Sequence, residues 1–102
     1  MVEFNSLYHI YTKSICGFRI FRREKDFRRM IQCAHYYQYR SLPMGYADFS
    51  RLNQIKERGF DEVLNSLAIE RRWVKRTELL AYCVMSTHLH LIVREIQTGS
   101  LP

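Results

Sequence analysis

His88 and His90 stand one residue apart at the head of an apolar run, HLHLIV. On a strand, side chains alternate, so both histidines point to one face while Leu89 and Leu91 point to the other. Their Cα atoms then lie about 7 Å apart. From that spacing two imidazoles can converge on one divalent cation at roughly 2.0–2.2 Å per ligand bond. Neutral histidine is the commonest side-chain metal ligand. An HxH pair also arises by chance and in packed sheets, so spacing alone leaves a metal site and a packing role both open.

Other residues could take part in such chemistry. His9 sits in an opening run, LYHIYT, that would neighbour the histidine strand; it could approach a metal, or be a packed or second-shell histidine. His35 falls on a helical stretch, where packing or surface roles are the default. Tyr82 lies on the strand beside the histidines, and Tyr8 and Tyr11 lie on the opening strand; the plain reading for each is a packed aromatic with its hydroxyl at an edge. Cys16, Cys33 and Cys83 form no CxxC pair, which suggests neither a zinc knuckle nor a redox dithiol, and leaves them as reduced packing residues.

Sixteen Lys and Arg against ten Asp and Glu give a formal charge of +6. A basic domain is a candidate for phosphate backbones, because each neutralised phosphate releases counterions. Arg19, Arg22, Arg23, Lys25, Arg28 and Arg29 could track a backbone, although Glu24 and Asp26 dilute the run and a solvated helix face reads equally well. Arg71, Arg72, Lys75 and Arg76 form a second basic cluster around Trp73. That tryptophan could stack a base, as aromatics in single-strand binders do, or belong to the core.

These residues need elements to hold them. The 102 residues fit one domain, and 47% hydrophobic with 14% aromatic composition supplies a core. No apolar run is long enough to span a membrane, and the start lacks a signal-peptide layout, so an intracellular protein is expected. Leu7–Thr12 alternates and is β-branched and aromatic, predicting a strand. Phe27, Met30, Ile31 and Ala34 recur at helical spacing, predicting a helix from about Arg23 to Gln38. Ser41 to Tyr46 breaks it with a proline and a glycine. Phe60, Val63, Leu64 and Leu67 predict another helix, with a short helical turn before it near Phe49 to Ile55. Leu79–Met85 and His88–Val93, separated only by Ser86 and Thr87, predict a β-hairpin. Thr98 to Ser100 reads as a turn. Strand, helix, inserted helix and two antiparallel strands are the front of a split βαβ arrangement: α+β, ferredoxin-like, with helices on one face of an antiparallel sheet. The other face is then free to meet a ligand.

The stretch LLAYCVMSTHLHLIVRE resembles the central hairpin of HUH-type single-tyrosine transposases, the IS-two-hundred-like family and especially its REP-associated members. They carry an Ala-Tyr-Cys-aliphatic-Met strand, a tight turn, then His-hydrophobe-His and aliphatics. LYHIYTKSICGFRIFRREKDF resembles their opening strand, with Tyr8 and His9, then an Ile20-Phe21 pair and an acidic-aromatic helix start. Residues 36–72 resemble an insertion found in some relatives, so the domain is expected to be single, with about 39–77 as a helical insertion. The resemblance implies DNA transposition: single-stranded or hairpin DNA is bound, and a tyrosine hydroxyl attacks the scissile phosphate, giving a 5′-phosphotyrosine. It implies His88 and His90 as ligands of Mg²⁺ or Mn²⁺, cytoplasmic and nucleoid-associated location, and a monomer or homodimer. Two features depart from the family. Ser86-Thr87 replaces the usual Pro-Asn, although Thr87 can still hydrogen-bond the turn or a phosphate. The nucleophilic tyrosine and the usual third ligand belong to a helix expected beyond Pro102, so the chain by itself is expected to bind but not cut. A non-catalytic nucleic-acid-binding module and an inactive remnant are the alternatives.

Overall fold

The computed structural model describes residues 6–13 and 21–96. Elements run β1 (Leu7–Lys13), α1 (Glu24–Tyr36), α2 (Tyr46–Phe49), α3 (Asn53–Arg58), α4 (Phe60–Glu70), β2 (Thr77–Val84) and β3 (His88–Glu95). The predicted strand, first helix, later helix and hairpin all form, and the helical turn predicted near Phe49 to Ile55 is divided between α2 and α3. The turn predicted at Thr98 to Ser100 lies outside the described residues.

The fold is α+β, with a three-stranded antiparallel sheet in the order β1-β3-β2. The centre of that sheet is the histidine strand. β2 and β3 join through Ser86-Thr87, closed by Met85 N–H donating to the His88 carbonyl at 2.8 Å and His88 N–H donating back at 3.3 Å. Neither turn residue has a positive φ. The connection therefore lacks the left-handed residues of the usual two-residue hairpin turns.

Directly opposed residues share a face. Leu7, His9, Tyr11 and Lys13 of β1 lie on one face with His88, His90, Ile92 and Arg94 of β3 and with Ala81 and Cys83 of β2. Tyr8, Ile10, Leu89, Leu91, Val93, Leu79 and Tyr82 take the other face, where α1 packs against β2 and leaves Tyr8 and Ile10 of β1 exposed. There His35 meets Tyr82 edge-on at 6.2 Å, and Gln38 Oε1 accepts from Leu79 N–H at 2.7 Å. An irregularity between Leu79 and Ala81 restores the alternation needed for both contacts.

Helix α1 forms because its apolar residues recur on one side and its start is capped. Arginine has no acceptor for the first-turn amides. The cap runs the other way: Asp26 Oδ2 accepts from the Arg22 and Arg23 backbone N–H groups, both at 3.1 Å. The main buried cluster lies beyond that helix, where Tyr36 meets Tyr39, Tyr46, Phe49, Phe60, Val63 and Leu64. All of these except Tyr36 fall in 39–77, the segment expected as an insertion, so that segment carries the apolar centre of the molecule. No described helix is long and apolar enough to cross a membrane.

Candidate metal and nucleic-acid site

The strand pattern puts His88 and His90 on one face, and their ring centroids are 5.3 Å apart at 85°. Each ring is held through Nδ1. Thr87 Oγ1 lies 3.1 Å from His88 Nδ1, and His9 Nε2 lies 2.8 Å from His90 Nδ1. The His9 and His90 rings are nearly coplanar, 16° apart, with centroids separated by 5.1 Å. That geometry is an edge-to-edge hydrogen bond in the ring plane, since the 2.8 Å between the two nitrogens and the two ring radii together account for the centroid separation. Where Nδ1 carries the hydrogen in these bonds, Nε2 presents a lone pair, the way metal-ligating histidines are usually oriented by a partner on the other nitrogen.

Tyr11, opposite His90 in register, sets its ring 4.6 Å from His90 and 6.0 Å from His88. Lys13 stands opposite His88. Tyr11 and Lys13 were not singled out from sequence as partners of the histidines. Only the register of β1 on β3 reveals them, and local periodicity carries no register. Cys83 stands opposite His90 and is exposed rather than packed, because no described helix covers this face. Tyr82 pairs with Leu91 and therefore points to the helix-bearing face, away from the histidines.

A divalent cation fits the donors in type and orientation: two imidazoles on an open face with their Nδ1 atoms engaged. Among the described residues, no group of three or more His, Cys, Asp or Glu stands close enough to hold a metal ion together. Two protein ligands leave most of the coordination sphere to water or to phosphate oxygens.

The basic residues separate into groups. Phe21 N–H donates to the Ser86 carbonyl at 3.2 Å, which ties the approach to α1 against the hairpin turn. Arg22 and Arg23 follow directly in sequence from that tether to the turn. Arg28 reaches Glu24 at 3.8 Å on the exposed side of α1. Arg29 lies over the Tyr46 ring at 5.3 Å, and Lys75 over Tyr39 at 5.7 Å, so both are engaged with the aromatic cluster. Arg76 follows Lys75 at the opposite end of β2 from the histidines, its N–H donating to the Gln38 carbonyl at 2.9 Å. Arg19 lies outside the described residues. Among the described residues the basic set is thus distributed and does not form one patch.

Compared with protein-family models, curated proteins and solved structures, the chain gives no significant match.

Proposed function

We infer that this chain is the nucleic-acid-handling part of a single-tyrosine transposase of the HUH type, with His88 and His90 as joint ligands of Mg²⁺ or Mn²⁺ beside the scissile phosphate. The observation that carries the reading is the paired engagement of both Nδ1 atoms, by Thr87 and His9, on an open sheet face. The strand order, with β3 between β1 and β2, is compatible with a ferredoxin-like, split βαβ sheet. The motif resemblance around LLAYCVMSTHLHLIVRE adds the reaction class.

When bound, the cation offsets the negative charge that builds on the phosphate in the transition state. Tyr11 and Lys13, together with Arg22 and Arg23, would place single-stranded or hairpin DNA over the histidines. A tyrosine hydroxyl supplied from beyond Pro102 attacks phosphorus, the bond to the departing 3′ oxygen breaks, and a 5′-phosphotyrosine forms.

A non-catalytic binding module is the second reading. It is favoured by the aromatic Tyr11 on the open face, where bases can stack, and by the two-ligand donor set. Labelled hairpin DNA, Mn²⁺ and a denaturing gel separate the readings. The 102-residue chain alone should bind without forming a denaturant-resistant adduct. Adding the helix expected to follow should produce an adduct that His88→Ala abolishes. An adduct from the 102-residue chain alone would contradict the external nucleophile, and Tyr11, not Tyr82, would then be the first residue to replace.

A further inference from the structure

Among the described residues, the non-glycine positions with left-handed backbone are Ser41 (φ 56°) and Arg72 (φ 54°). Both line one recess of about 420 Å³, together with Arg40, Arg71, Trp73 and Val74. Left-handed backbone is disfavoured for residues with a Cβ, and where it persists it clusters at sites of function.

Arg72 shows what is being held. Arg71 caps α4, Arg72 N–H donates to the Ile69 carbonyl at 3.3 Å, and Trp73 N–H donates to the Ala68 carbonyl at 2.9 Å. This is the Schellman ending of a helix, and its left-handed position favours glycine. Arginine occupies it instead. The partial negative charge at a helix C-terminus accounts for a cation there, but not for choosing one at the backbone position that suits it least.

A second loop closes the recess from the other side. Arg40 N–H donates to the Val74 carbonyl at 3.0 Å, and Ser41 turns the chain away directly afterwards. Three arginines therefore border a recess that no Asp or Glu among the described residues lines. Neither Arg71 nor Arg72 has an ion pair among the described residues. Guanidinium forks match phosphate oxygens two at a time, and the volume is that of a small-molecule site rather than of a single ion. Trp73 is braced by Tyr39 at 5.8 Å and Phe49 at 6.3 Å, which fixes its indole beside the arginines.

We propose that this recess is a second nucleic-acid site, in which Arg71 and Arg72 hold backbone phosphates and the Trp73 edge receives the attached nucleoside. It goes beyond the reading of the histidine face and does not depend on it. The recess adjoins the start of β2, whereas the histidines face the other end, roughly 25 Å away at ~3.4 Å per residue.

Trp73 is the single tryptophan of the chain, so its emission reports on the recess directly. Labelled hairpin DNA with a single-stranded flank is titrated into the 102-residue chain at several salt concentrations, with Arg72→Gly, Arg71→Gln and the control Arg51→Ala alongside. The parent should show tryptophan quenching that tracks binding. Arg72→Gly should melt a few degrees higher, because glycine relieves the backbone. Its slope of log affinity against log salt should nevertheless shrink by about 1, as for one lost phosphate contact. Arg71→Gln should show the same loss of slope at unchanged melting temperature, and Arg51→Ala should behave as the parent. Quenching that survives His88→Ala keeps this site separate from the histidine face. Parental affinity and slope in both recess variants would overturn the proposal. So would quenching by polyglutamate but not by DNA, which would make the recess an acidic-peptide site.

Discussion

His90 is held through Nδ1, and the direction of that hydrogen bond decides what the ring can do. If His90 Nδ1–H donates to His9 Nε2, the His90 Nε2 lone pair is free for a cation. If His9 donates, Nε2 carries the hydrogen and can only donate. A metal at His88 and His90 selects the first arrangement, with His9 as a positioning residue. His9→Ala should then weaken Mn²⁺ binding about 10–100-fold, and His9→Gln, whose amide oxygen can accept the same bond, should recover part of it. Paramagnetic broadening of the imidazole signals measures the affinity, and long-range nitrogen correlations on the metal-free protein read the His90 tautomer. An unchanged tautomer and affinity in His9→Ala would remove His9 from the site. His35 supplies the internal control: its Nδ1 is bound to the Ile31 carbonyl at 3.0 Å on the helix-bearing side, and it should not broaden selectively.

Two elements owe their boundaries to single residues. The backbone N–H groups of Arg22 and Arg23, aided by the nearby Arg23 and Lys25 charges, hold the Asp26 carboxyl below its ordinary value. The folded chain therefore favours the charged form. That stabilisation is complete above the unfolded value of about 3.9 and is lost as pH falls through the lower folded value. Asp26→Asn should lower the melting temperature at pH 7, and the gap should close in strong acid, where the parent carboxyl is also neutral. Melting curves across pH check this; a gap that persists in strong acid would point to packing instead. Gly59 joins α3 to α4 at φ 92°, ψ 154°, a region essentially reserved for glycine. A Cβ there would meet nothing within 4 Å, so the cost of Gly59→Ala is purely conformational. It should be about 1–3 kcal/mol, read as a lower urea midpoint at unchanged slope.

The molecule measures 45 × 42 × 19 Å, and its least dimension suits one layer of sheet against one of helix. Stability is concentrated at one end of that slab. Phe49, 1% exposed, touches Tyr36 at 4.6 Å, Phe60 at 5.7 Å and Trp73 at 6.3 Å. Phe49→Ala should cost about 3–5 kcal/mol, a large share of a small domain's stability, and urea unfolding would show it. The sheet's outer strand is far less buried, with Leu7 62% and Tyr11 50% exposed. Exposed aromatics and cations on an uncovered sheet suit a polyanion. DNA binding should therefore weaken steeply between low and physiological salt; binding indifferent to salt would argue against phosphate contacts.

Local pattern by itself determined a good deal. The period-2 run at Leu7–Thr12, the helical spacing from Phe27 to Ala34 and the two-residue gap at Ser86-Thr87 specify their elements, because each depends on neighbours a few residues away. The shared face of His88 and His90 follows from strand alternation in the same way. The order of elements already set the opening strand, with His9, beside the histidine strand; tertiary structure alone decided which side chains meet there. His9 meets His90 across 81 positions of sequence, and Tyr11 and Lys13 arrive with it, through a strand register that no local period encodes. It also turned Tyr82 to the far face, drew Arg29 and Lys75 onto aromatic rings, and put the apolar centre in the segment that reads as an insertion. Burial and charge pairing are set by what packs against a residue after the chain has closed on itself, and that partner is remote in sequence.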